Sequence, residues 1–388
     1  MAPKKGTVAK VDNLTLKPSE TIIAINHNVE VNLRNAAKGK DRRSMFIWGP
    51  PGIGKSSLVK QVAKARGMDV IDIRLTQMEP TDLRGIPIPV KSVTHNGEET
   101  LVRWAPPALL PRDPNAKAII VLDELPNAPP SVQAGAYQLV LDGKLGEYVV
   151  PKGCVVMAAG NRETDKGGTF KMPTPLMNRF DHIEMRHDFD DFQEYALNEG
   201  FHKDVVGYLT AFKHELFEFD PLSASRGFPT PRSWDMVSDN IEGDPNLPEQ
   251  VMLANIAGCI GEGIAIKFLE YRKNAAQLPN PRDILEGKIK DLKKEYDVSL
   301  MYSLTTALCY ELRESHNTWV RTKDKKDKDV LNSRADNFFG FIMKNFQPEM
   351  VIMGARTALA LFRIPIEPHS MKNWQDFADK YQDLILKA

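Results

Sequence analysis

The chain has 388 residues, with 51 Lys plus Arg against 51 Asp plus Glu and a 42% hydrophobic fraction. That length exceeds one compact core and predicts two or three domains, while the balanced charge gives no reason to expect nucleic acid or an acidic membrane surface as a partner. Cys154, Cys259 and Cys309 are few, odd in number and without a CxxC pair, which argues against a disulfide framework or zinc site. The N-terminal MAPKKGTVAK has no apolar stretch and no long apolar run occurs elsewhere, so a soluble cytoplasmic protein is expected.

In chain order, residues 45–48 (MFIW) form a short apolar run, followed by GPPGIGKS at 49–56 and a helix-like SLVKQVAK at 57–64. Strand, glycine loop and helix in that order make a phosphate cradle. Glycines 49, 52 and 54 let successive backbone N–H groups turn inward, and a helix beginning at Lys55 adds the positive end of its dipole. The expected nucleotide contacts are Gly49, Pro50, Pro51, Gly52, Ile53, Gly54, Lys55, Ser56 and Ser57. Lys55 would reach the β- and γ-phosphates, and the Ser56 hydroxyl would ligate a bridging Mg2+.

Further short apolar runs at 70–73, 118–122, 155–159 and, more weakly, 182–185 alternate with helical segments, the rhythm of a parallel α/β sheet. Residues 86–104 read as an inserted hairpin carrying Pro87, Pro89 and His95 with an Asn96-Gly97 turn, and 145–151, with Tyr148, as a second. Beyond 186 the pattern turns helical: 189–217 and 248–273 separated by a loop at 223–231, a break at 278–281, then 283–296, 298–316, 329–345, 349–361 and 374–386. The run RTKDKKDK at 321–328 reads as a solvated loop, because its aspartates dilute the charge and no stacking aromatics accompany it. The expected organisation is a nucleotide-binding α/β domain over 1–185 with a five-stranded parallel sheet between helices, a helical lid over 186–280, and a C-terminal helical region over 281–388.

KAIIVLDE at 117–124 is a buried-strand pattern ending in two carboxylates. Ligands of parallel sheets sit at the carboxyl ends of strands, which places Asp123 and Glu124 beside the glycine loop. Asp123 is the expected magnesium ligand with Ser56, and Glu124 the base that orients and deprotonates the attacking water. VVMAAGN at 155–161 repeats the strand and delivers the neutral amide of Asn161 to the same edge, within reach of a γ-phosphate or water. No HExxH or GxSxG pattern offers rival chemistry, and His182 and His187 read as packing or surface residues.

GPPGIGKS, IIVLDE, VVMAAGN, then PLMNRFD at 175–181 and TPRS at 230–233 stand in the order seen in AAA+ ATPases, and the set resembles the MoxR-type, dynein-related branch over about residues 44–235. The resemblance implies a role for each polar residue: Asn161 as sensor 1, Arg179 as the arginine finger that completes a neighbour's site, and Arg232 as sensor 2, joining Glu124 in the catalytic set. Arg84 and Arg162 are further candidates for an intersubunit cation. It also implies ATP as the nucleotide, a homo-oligomeric ring, expected to be a hexamer, pore hairpins that touch a protein client, and a von Willebrand A-domain protein as partner. The function expected on this basis is an ATP-driven remodeller or chaperone. A nucleic-acid-associated motor, of the restriction GTPase or helicase kind, and a nucleotide-gated assembly switch are the alternatives. No membrane partner is expected, and the neutral charge and absent guanine-reading NKxD element weigh against nucleic acid and GTP.

Overall fold

The computed structural model describes residues 14–94, 97–165, 170, 172–222, 226–244, 247–293, 295–367, 369 and 371–385. His95 and Asn96 of the expected hairpin turn, and 223–225 of the expected lid loop, lie outside them. The chain divides into two compact units, Met1–Asp191 with Asp220–Ser223, and Phe192–Phe219 with Ala224–Ala388.

The first unit runs β1 (Thr15–Leu16), α1 (Pro18–Ala37), β2 (Ser44–Trp48), α2 (Lys55–Arg66), β3 (Asp69–Arg74), α3 (Pro80–Arg84), β4 (Ile86–Thr94), β5 (Gly97–Ala105), β6 (Ala118–Asp123), α4 (Pro130–Asp142), β7 (Lys144–Leu145), β8 (Tyr148–Val149), β9 (Val155–Gly160), α5 (Thr174–Met177) and β10 (Phe180–Met185). Six strands form one sheet in the order β1-β10-β2-β9-β6-β3, every neighbouring pair parallel. The expected α/β class holds, with one correction: the sheet has six strands, not five. The added strand β1 is two residues long, too short to show any alternation, and owes its place to pairing Thr15 with Glu184 and Leu16 with Met185.

The central strands read as unbroken apolar runs because both faces of the sheet are covered. Phe46, Ile120, Leu122, Val156 and Ala158 share a core with Val132, Ala136 and Leu139 of α4. Ile47, Ile119, Val121 and Met157, pointing the other way, are buried as well, as are Leu58, Val59 and Val62 of α2. Burial of each of the Val, Leu, Ile, Phe and Met side chains among them contributes about 1.5–3 kcal/mol, so the sheet fixes its edge residues firmly. Strands β4 and β5 form the expected hairpin, with Ile86 opposite Ala105 and Lys91 opposite Thr100, and β7 and β8 form the second.

The second unit is helical: α6 (Phe189–Glu199, counted here from Phe192), α7 (Lys203–Ala211), α8 (Pro231–Gly243), α9 (Glu249–Ile260), α10 (Glu262–Ala275), α11 (Pro281–Leu285), α12 (Val298–Thr322), α13 (Lys325–Asn345), α14 (Pro348–Arg356), continued by a π-helical turn (Thr357–Leu361), and α15 (Lys372–Ile385). Helices α7 and α10 both pack on α12, so the segments expected as lid and as C-terminal region share one unit here. The helix expected over 283–296 stops after Leu285. Gly287 takes φ 74, Lys288 N–H turns back to the Asp283 carbonyl, and the Asn337 amide donates to the Leu285 carbonyl. The run at 321–328 is not one loop: α12 extends to Thr322, Lys323 caps it in the left-handed region, and the Asp324 side chain accepts from Lys326 N–H to start α13. Among the described residues no helix is long and apolar enough to cross a membrane.

Candidate active site

Strand β2 ends at Trp48 and helix α2 begins at Lys55, so residues 49–54 make the turn between them. Gly54, at the N-cap of α2, has φ 95 and ψ 15, a left-handed conformation in which a side chain would be strained. This geometry aims the first N–H groups of α2 at the carboxyl edge of the sheet, where an anion is stabilised by the helix dipole.

The Lys55 side chain is buried in this turn. Its Nζ donates to the carbonyls of Gly49 at 2.7 Å and Pro50 at 2.9 Å, and to Asn161 Oδ1 at 3.0 Å. Asn161 follows β9, which lies beside β2, and this adjacency brings the two together across 106 positions of sequence. The charge of Lys55 is thus held inside the loop by oxygen dipoles, these among them, from which phosphate oxygens can take it over.

Ser56 Oγ donates to Asp123 Oδ2 at 3.2 Å, and Asp123 Oδ1 accepts from the Glu124 N–H at 3.0 Å. Burial raises the pKa of the Asp123 carboxyl above its ordinary value and the nearby Asp72 charge adds to this, against the lowering effect of the Glu124 N–H and the Ser56 hydroxyl. A hydroxyl and a carboxylate oxygen at this separation suit Mg2+, which binds through one or two protein oxygens and takes its remaining ligands from phosphate and water.

Glu124 is exposed and sits at φ 57, ψ 29, an uncommon conformation for a residue with a side chain. Its Oε2 accepts a 2.6 Å hydrogen bond from Thr76 Oγ1, in the 3-10 turn Leu75–Gln77 that follows β3. Thr76 escaped the sequence reading: it lies 48 positions from Glu124, and only the β3–β6 pairing makes them neighbours.

Arg179 lies just past α5, exposed and without a side-chain hydrogen bond or ion pair among the described residues. Arg232 is the second residue of α8 in the other unit and is exposed as well. The other two candidate cations have partners within their own unit. Arg162 bonds Asp165 through Nε and Nη2 and reaches Glu184 through Nη1 at 3.0 Å, and the Arg84 guanidinium lies 4.9 Å from the centre of the Trp104 ring. Tyr148 is 8% exposed and donates to the Pro111 carbonyl, a packing role within the second hairpin.

Residues 45–187 match the model of the ATPase family associated with various cellular activities (AAA), and this segment is an AAA-type ATPase domain on a P-loop fold. Midasin of Dictyostelium discoideum is 26% identical over 188 residues, which is 45% of this chain and 3% of that protein; the chain therefore spans a small fraction of that relative's length. Among solved structures, the RuvB Holliday junction branch migration motor of Thermotoga maritima aligns at 15% identity over 70% of this chain and 76% of its own, with TM-score 0.32. A RuvB variant of the same organism aligns at 17% identity over 69% and 76%, also with TM-score 0.32.

Proposed function

We propose that this protein is an ATP-hydrolysing AAA+ motor of the MoxR-type, dynein-related kind, which works as a ring, expected to be a hexamer, and remodels a protein client. The observation that carries the reading is a convergence at one sheet edge: Lys55 on Asn161 at 3.0 Å, and Ser56 on Asp123 at 3.2 Å beside the exposed carboxylate of Glu124. Loop amides and the Lys55 charge would bind the triphosphate. Ser56 and Asp123 would hold Mg2+, which when bound neutralises charge on the phosphate oxygens. Glu124 would take a proton from the attacking water, and Asn161 would orient that water or the γ-phosphate.

The exposed Arg179 supports the ring reading: a cation with no partner of its own among the described residues is available to a neighbouring subunit's γ-phosphate. Hairpin β4–β5 supports a protein client, since Ile86, Ile88 and Val102 stand 64%, 47% and 59% exposed, more apolar surface than a hairpin serving only packing would leave in water. A von Willebrand A-domain protein as partner belongs to the same reading. The test is ATP turnover per subunit against protein concentration. Specific activity that rises steeply and then saturates as rings assemble is expected; a value independent of concentration down to the monomer would refute intersubunit catalysis.

A further inference from the structure

His182, on β10, makes two hydrogen bonds with its ring. Trp48 Nε1 donates to His182 Nδ1 at 2.8 Å, and His182 Nε2 lies 2.8 Å from the Met177 carbonyl oxygen. An indole N–H can only donate and a carbonyl can only accept. Both bonds are therefore met by one form alone, the neutral imidazole with its proton on Nε2.

The two partners are placed at meaningful points. Met177 is the last residue of α5, so the ring closes the neck of the loop 177–182, and Arg179 lies within that loop. Trp48 is the last residue of β2 and is followed directly by Gly49 of the phosphate loop. It is held in turn by the Phe46 ring, stacked at 4.0 Å with 14° between planes, and Phe46 meets Phe180 edge-on at 5.2 Å. The imidazole thereby adds a side-chain tie between the Arg179 loop and the strand that feeds the subunit's own phosphate loop, beside the backbone pairing of β10 on β2.

We infer that His182 is a positioning residue for Arg179, setting the angle at which that arginine is presented to the adjoining subunit; this rests on the motor reading above. A charged group must lie within a few tenths of an ångström of its place to stabilise a transition state, and a misplacement of about 1 Å lowers rate by up to about 100-fold. Each subunit then carries a rigid link from its own nucleotide loop to the cation it lends. His182 is exposed and contributes little to core burial, so its removal is expected to loosen this link without unfolding the sheet.

The test mixes two kinds of full-length subunit, with assembly verified by sedimentation. Donor subunits carry Lys55→Ala, which empties their own site but leaves their Arg179 in place; acceptor subunits carry Arg179→Ala and keep an intact site. Turnover arises only where a donor's arginine serves an acceptor's nucleotide. Adding His182→Ala to the donor is expected to lower kcat about tenfold with KM for ATP unchanged, and adding it to the acceptor to change nothing. Trp48→Phe in the donor, which keeps the stack on Phe46 but deletes the N–H, is expected to act in the same direction. A fall in the acceptor as large as in the donor, or silent mixtures of assembled subunits when the wild type is active, would overturn the role. Wild type without ATP turnover would instead overturn the motor reading itself, and this role with it.

Discussion

Thr76 Oγ1 donates to Glu124 Oε2 at 2.6 Å, so the hydroxyl occupies one lone pair of the carboxylate expected to act as the base. The oxygen held in this way must exchange the bond for water before the carboxylate can act on it. At an exposed position the bond is worth about 1 kcal/mol. Thr76→Val is therefore expected to raise basal ATP turnover by up to about fivefold, with KM for ATP little changed and a small drop in melting temperature from the lost bond. Steady-state kinetics on the purified variant checks this; unchanged or lowered kcat would show that the bond is not inhibitory.

Glu124 also carries backbone strain. A left-handed conformation costs a residue with a side chain about 1–2 kcal/mol, and Glu124 holds φ 57. Glycine relieves that strain but loses about 0.5–1 kcal/mol of chain entropy on folding. Because Glu124→Gly also gives up the bond from Thr76, it is expected to be about as stable as the wild type in thermal or urea melts while losing hydrolysis.

Asp123 sets a pH dependence. Its carboxyl pKa is raised above the ordinary value by burial first and Asp72 second, so between its unfolded and folded pKa values the folded state holds more protons than the unfolded chain. The sign follows: this group's contribution to stability is largest below the unfolded value and is lost as pH rises through the folded one. Magnesium needs the ionised form, so it works against the same proton. On acidification from about pH 7 to about pH 5, the Mg2+ concentration for half-maximal ATP binding is expected to rise. Asp123→Asn should abolish Mg2+-dependent binding and leave the nucleotide-free protein at least as stable near neutral pH. Calorimetric ATP titrations at several Mg2+ levels and pH values measure both.

Gly160 joins the two halves of the site sterically. A Cβ there would stand 2.5 Å from Pro126 Cδ and 3.1 Å from Phe46 Cζ, and Pro126 belongs to the turn directly after Glu124. Gly160→Ala is expected to destabilise the protein by about 1–3 kcal/mol through overpacking and to lower kcat by shifting the Glu124 turn. A denaturant melt with parallel turnover measurements would show an unperturbed protein if the site has room to give.

The local parts of the site were readable from sequence because their signals are contiguous. GPPGIGKS, the apolar run ending in Asp123-Glu124 and the run ending in Asn161 each sit on one strand or its exit, and central parallel strands advertise themselves as unbroken apolar runs. Contacts made by strand pairing left no trace. Thr76 on Glu124 and Trp48 on His182 join residues 48 and 134 positions apart, and nothing beside either residue marks it. The β1 strand was too short to carry a pattern. Helix limits slipped where side chains and glycine, not periodicity, decide them: the helical run expected over 248–273 breaks at Gly261, with φ 85, and Asp324 restarts a helix inside a charged stretch.

The central claim is that the triphosphate bound at Lys55 and Ser56 is cut by water activated at Glu124. Its most direct test is phosphate release from saturating MgATP by Glu124→Gln beside the wild type, with ATP binding measured on both. The account predicts turnover at least about 100-fold lower in the variant with binding retained; equal turnover in the two proteins would contradict it.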